Sequence, residues 1–183
     1  MKQIIKPACS LFLIAAITTT LLGMVYRITL EPIENQHIRT QERIMREVMA
    51  QATSFRELDG YKSGSIVRIF EGLRGEDTVG YVIELAPTGY SGTINMMVGI
   101  LKEENQIAGM RVIRHTETPG LGALVVRETF YNKFNRKALN PLRVVKSAPG
   151  YDEIEALTSA TITTRAVVYA VNEAIEWYNK GGF

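Results

Sequence analysis

The chain has 183 residues, of which 46% are hydrophobic and 22% charged. That composition fits one ordinary domain and argues against both wholesale disorder and a polytopic membrane protein. A formal net charge of +2, with no block of lysine or arginine, gives no footprint for nucleic acid. A single cysteine, Cys9, and two histidines, His37 and His115, leave no disulfide framework, too few thiolates for an iron–sulfur cluster, and no zinc or haem spacing, so no metal site is expected.

The run from Pro7 to Tyr26 carries no charge. At 1.5 Å per residue a helix of this length crosses a hydrocarbon core of about 30 Å. A retained lipid-bilayer anchor is expected rather than a cleaved signal, because no small-x-small site follows and the chain continues Tyr26-Arg27-Ile28-Thr29-Leu30. Cys9 precedes most of the apolar run, which disfavours a lipoprotein anchor. Lys2 and Lys6 lie before the run, whereas Arg27 after it is soon followed by Glu31 and Glu34. The positive-inside rule therefore places the N-terminus in the cytoplasm and the rest of the chain on the outer side of the cell membrane.

Beyond the anchor, Ile38, Ile44, Met45, Val48 and Met49 recur near helical spacing between charged residues, predicting an amphipathic helix from Ile33 to about Ala52. Short β-branched runs follow at 65–70, 78–85, 94–101 and 107–114, divided by glycines and by the polar turn Glu103-Glu104-Asn105-Gln106. They predict an antiparallel meander. A helix over Ala123 to Phe134, a short strand over Leu142 to Lys146 and a helix over Thr163 to Tyr178 complete the reading. Strands followed by segregated helices imply an α+β domain. The predicted organisation is a short cytoplasmic N-terminus (1–6), a transmembrane helix (7–26), a connecting amphipathic helix (27–58) and the functional domain (59–183). No repeat is visible.

The segment Glu155-Ala156-Leu157-Thr158-Ser159-Ala160-Thr161-Ile162-Thr163-Thr164 gathers hydroxyls and a carboxylate where the last helix begins, and Val167, Val171, Ile175 and Tyr178 give that helix a packing face. Unpaired amides and a partial positive charge at a helix N-terminus favour a phosphate. The same residues also suit a plain cap formed by Thr158, Ser159 or Thr163.

Thr158-Ser159-Ala160-Thr161 resembles the S/T-G-A-T element of the FMN-binding domains in the RnfG and NqrC subunits of ion-pumping electron-transfer complexes. The loop His115-Thr116-Glu117-Thr118-Pro119-Gly120-Leu121-Gly122, about 40 residues upstream, resembles that family's E-T-P-G-L-G loop, and Tyr90-Ser91-Gly92 resembles a segment between strands. The resemblance runs from the span to the C-terminus, and chain length points to RnfG over NqrC.

The resemblance implies FMN joined by a phosphoester to Thr161, a link made in the family by the flavin transferase ApbE. Thr158, Ser159, Ala160 and Thr163 would surround the attachment. Glu117, Thr118, Pro119, Gly120, Leu121 and Gly122 would form the ring-side loop, with Thr118 and Leu121 touching the isoalloxazine and Glu117 ordering the loop. Tyr90 and Gly92 would close the pocket. Glu155 stands at the aspartate position of the modification pattern, and Ser159 at its glycine. The implied role is electron transfer beside other membrane redox subunits of an Rnf-like complex working between ferredoxin and NAD⁺, with pumping left to those partners. Thr161 would be a tether and not a nucleophile, so no catalytic residue is expected. The alternatives are an NqrC-like subunit, a stand-alone extracytoplasmic flavoprotein, and a non-redox membrane-anchored assembly subunit.

Overall fold

The computed structural model describes the backbone of residues 2–58 and 60–182 and the side chains of residues 5, 7–28, 40–58 and 60–182. The charge-bias residues Lys2, Lys6, Glu31 and Glu34 and the helix-face residue Ile38 lie outside the described side chains. Two compact units divide between Gln41 and Glu42.

The first unit is helical. Helix α1, Lys2–Val48, runs through the predicted anchor and the predicted amphipathic helix without a break. Pro7 is the sixth residue of α1, past the first turn where its missing N–H would cost nothing, so the helix continues there without one i→i−4 hydrogen bond. Within α1 the 22-residue stretch Pro7–Ile28 is wholly exposed, with a mean hydropathy of 2.1. Thr18 and Thr20 donate their hydroxyls to carbonyls of the preceding turn, so these polar groups are compatible with an apolar surrounding. By length and composition this stretch can cross a membrane.

The second unit is built on a five-stranded antiparallel sheet in simple sequence order: β1 (Ser54–Leu58), β2 (Ile66–Arg74), β3 (Asp77–Leu85), β4 (Asn95–Leu101) and β5 (Gln106–Arg114). The meander expected from the β-branched runs is present. Its first strand was not anticipated: Ser54–Leu58 pairs along β2 and belongs to the sheet, so the compact unit begins at Glu42 and not at residue 59. Ser-Phe-Arg-Glu-Leu alternates weakly and sits at an edge, which is why the pattern hid it.

Both faces of the sheet are buried. Tyr81, Ile83 and Leu85 of β3 and Met96, Val98 and Ile100 of β4 face a core with Val167, Val171 and Trp177, whereas Val82, Met97 and Leu101 face Ile44, Met45, Val48 and Met49. Successive strand residues point to opposite faces, so covering both removes the polar alternation. The end of α1 reaches the sheet at Gly99, and strands β3 and β4 approach closely at Gly80. A Cβ at Gly80 would lie 2.1 Å from the Ile100 carbonyl, and one at Gly99 would lie 2.7 Å from the Val48 carbonyl.

The helix expected over Ala123 to Phe134 is instead three short turns: 3₁₀ at Gly122–Val126, α2 at Glu128–Tyr131 and 3₁₀ at Asn132–Phe134. Val125, Phe130 and Phe134 are all fully buried. A spacing of five residues rotates about 140° away from a shared face in a continuous α-helix, and extended backbone at Arg127 (φ −77°, ψ 145°) resets the direction. The predicted strand near 142–146 is β6 (Arg143–Val145), which pairs in parallel with β7 (Glu153–Glu155), a strand that its sequence pattern did not reveal. Helix α3, Thr161–Asn179, begins two residues earlier than expected. Asn172 on its face both accepts from the Leu142 amide and donates to the Leu142 carbonyl (2.8 and 2.9 Å), fixing the segment that precedes β6.

Candidate functional site

Two tight turns frame a cavity of about 430 Å³. In the first, the Leu121 amide donates to the Thr118 carbonyl across Pro119 and Gly120, and Gly120 has φ +80°. Proline followed by a positive-φ glycine is the pair that a type II turn favours. In the second, the Ala160 amide donates to the Leu157 carbonyl, with Ser159 at φ +62°. A left-handed residue at that point explains why the related motif carries glycine there; Ser159 adopts the conformation with a side chain in place.

The second turn leads directly into α3. Its N-cap residue is Ala160, which makes no side-chain capping bond, so Thr158, Ser159 and Thr163 do not cap the helix. Thr164 organises the approach instead: its hydroxyl donates to the Ala160 carbonyl and accepts from the Leu157 amide. The amides of Thr161, Ile162 and Thr163 meet no protein acceptor among the described residues, as expected for the first turn of a helix. The Thr163 hydroxyl is committed to Glu117 Oε2 at 2.7 Å. Thr161, half-buried, has no such bond for its hydroxyl among the described residues.

Glu117 ties the cavity together. It is 5% exposed, and its Oε1 accepts from the Ser91 amide at 2.9 Å. One carboxylate therefore links the start of α3, the 115–122 loop and the loop between β3 and β4. His115 Nδ1 accepts from the Glu117 amide at 3.2 Å, an ordering role at the strand end. Thr116 donates to the Ser91 carbonyl. Gly92, at φ +147°, lets that loop close, because a Cβ there would lie 2.4 Å from Thr116 Oγ1.

The cavity is lined by Tyr90, Glu117, Thr118, Leu121 and Gly122 on one side and by residues 159–163 on the other. Of the site residues expected from sequence, Thr158, Pro119, Gly120 and Gly92 shape the turns without lining the cavity. Glu155 lies on β7, where it pairs with Lys133 at 3.4 Å. Ile162 was missed. It is 57% exposed and sits off the buried stripe of Val167, Val171 and Ile175, and an apolar residue on the wrong face was the signal available. Among the described residues, no lysine or arginine lines the cavity.

These features fit FMN. Unpaired helix amides suit a phosphate, and the volume lies in the range of small-ligand sites. Tyr90, Leu121 and Ile162 offer exposed apolar surface to a flat ring.

Comparison with known proteins agrees. Residues 89–176 match the FMN-binding domain family, and residues 1–48 match the RnfG N-terminal region. The chain is 31% identical, over 97% of its length and 92% of the relative's, to the G component of the Na⁺-translocating ferredoxin:NAD⁺ oxidoreductase complex of Acetobacterium woodii. The chain belongs to the RnfG family. An RnfG relative from Methanosarcina acetivorans, the G component of an ion-translocating oxidoreductase complex, is 29% identical over 96% of this chain and 95% of its own. The crystal structure of Shewanella oneidensis NqrC superposes with a TM-score of 0.53 at 24% identity, over 59% of this chain and 54% of that one. The RnfG domain thus shares the NqrC fold over about half the length of that protein, in keeping with the α+β expectation.

Proposed function

We propose that this RnfG protein is the flavin-carrying electron-transfer subunit of an ion-translocating oxidoreductase complex, with FMN joined through its phosphate to the Thr161 hydroxyl. The observation that carries the proposal is the place of that hydroxyl, on the first turn of α3 and on the cavity wall with no hydrogen-bond partner among the described residues. Ser159, likewise unengaged, precedes the helix. Thr163 and Thr164 are engaged by Glu117 and by the Leu157–Ala160 turn, whereas Thr161 stands on the first turn beside unpaired amides and lines the cavity.

Electrostatics supports a covalent link. A phosphate monoester carries about −1.5 to −2 near neutral pH, while a helix N-terminus offers about half a positive charge and, among the described residues, no cationic side chain lines the cavity. A phosphodiester needs less compensation and cannot dissociate. FMN supplies one- or two-electron transfer when bound. The chain's own residues hold and orient it: Thr161 at the phosphate, Thr118, Leu121 and Ile162 as walls, and Tyr90 as a cover against water.

In this reading residues 7–26 cross the cell membrane, residues 1–6 stay in the cytoplasm, and the FMN-binding unit lies on the other side. Other membrane redox subunits of an Rnf-type complex are the partners, and a flavin transferase of the ApbE kind loads the cofactor. Chain produced with the transferase should gain the mass of one FMN less one water; an unshifted mass would refute the covalent link. Protease added to right-side-out vesicles should degrade the FMN-binding unit, and full protection would reverse the assigned orientation.

A further inference from the structure

We infer that Glu117 lowers the reduction potential of the flavin by holding a buried, cation-free carboxylate against the cofactor cavity. The inference rests on the FMN reading above and concerns a property of the cofactor that the attachment does not determine.

Glu117 lines the cavity and is only 5% exposed. Both its oxygens act as acceptors, Oε1 from the Ser91 amide at 2.9 Å and Oε2 from the Thr163 hydroxyl at 2.7 Å, which is the pattern of an ionised carboxylate. The other buried glutamates have counter-charges: Glu71 pairs with Arg56, and Glu84 with Arg68 at 2.7 Å. Glu117 has no cation beside it among the described residues. A buried anion without a cation is costly and rarely kept for packing alone. The backbone is also shaped around it, since a Cβ at Gly89 would come within 2.4 Å of Oε1 and a Cβ at Gly122 within 2.2 Å of Oε2.

A carboxylate that served only to join the loops would need its shape and acceptors. Its charge matters to whatever fills the cavity. A fixed negative charge opposes the arrival of electrons on a neighbouring ring, the more so where the charge itself is buried from water as Glu117 is, so the flavin is harder to reduce than it would be beside a neutral amide. Two variants separate charge from shape: Glu117→Gln keeps the size and removes the charge, and Glu117→Asp keeps the charge and shortens the side chain.

The test is a spectroelectrochemical titration of the full-length, flavin-loaded protein, with loading verified by intact mass. Glu117→Gln should move the reduction equilibrium at least tenfold toward the reduced form, about +30 mV for a two-electron couple, and Glu117→Asp should stay nearer to wild type than to Glu117→Gln. Equal shifts in both variants, no shift in Glu117→Gln, or a negative shift would overturn the inference. Failure of either variant to load where wild type loads would overturn it too, by making Glu117 part of attachment. An unloaded wild-type chain would instead count against the covalent-FMN reading, so the two claims fail separately.

Discussion

The protein uses glycine for opposite ends on the sheet and at the cavity. On the sheet, Gly80 and Gly99 remove side chains so that β3 closes on the Ile100 carbonyl of β4 and β4 closes on the Val48 carbonyl at the end of α1, and no space remains. In the loops, Gly89 and Gly122 remove side chains to make room for the Glu117 carboxylate beside a cavity that stays open. The first arrangement is closed packing, where the interior tolerates no added atom. The second holds a charged side chain in place and leaves volume for something else. The same residue type therefore marks stability in one region and a site in the other, and the neighbouring atom decides which.

That contrast can be broken by filling each region in turn. Gly80→Ala should destabilise the domain most, by about 3 kcal/mol, because the new methyl meets the Ile100 carbonyl and overpacking against backbone has no cheap relief. Thermal unfolding of the full chain would check this, and an unchanged midpoint would contradict the close approach. Gly122→Ala should cost about 1 kcal/mol in stability, since side-chain atoms of Glu117 and Thr163 can shift, yet reduce flavin loading at least tenfold. Loading as in wild type would show that the flavin does not use the cavity volume beside Gly122.

The remaining two predictions are smaller. The Thr78 hydroxyl and the Arg56 guanidinium hold the Glu71 carboxyl below its ordinary value of 4.5. A lowered folded value means that this contribution to stability is fully present above the unfolded value and is lost as pH falls through the folded one. Acid titration of stability should therefore flatten in that range for Glu71→Gln, and an unchanged curve would remove Glu71 from the acid response. Ser159→Gly should raise stability by roughly 0.5 kcal/mol, the relief of a left-handed serine less the added chain entropy of glycine. A loss of stability would mean that the serine side chain makes a contact that matters more than the backbone strain.

Much of this architecture was legible in the sequence for physical reasons. The four later strands announced themselves because β-branched runs were separated by glycine and polar turns, and α3 because its apolar stripe was regular. Edge strand β1 and the three-residue β7 were too short and too weakly patterned to stand out. The broken helix near Val125 misled because local composition looked helical, while tertiary burial of Val125 and Phe130 demanded spacing that a single helix cannot supply. At the site, turn chemistry made Pro119-Gly120 readable. The residue pattern left Thr161 level with its neighbours and only the resemblance singled it out, because which hydroxyls are engaged, as those of Thr163 and Thr164 are, depends on tertiary contacts. Ile162 escaped because one exposed apolar residue is ordinary until a cavity is seen beside it.

The central claim is that one hydroxyl, Thr161, carries the flavin. Trypsin cuts after Lys146 and Arg165 yield one peptide holding Thr158, Ser159, Thr161, Thr163 and Thr164 together, so fragmentation of that peptide from transferase-loaded protein tests the claim most directly. The added mass should lie on Thr161 and vanish in Thr161→Val; the same mass on Thr158, Ser159, Thr163 or Thr164, or its persistence in the variant, would contradict the account.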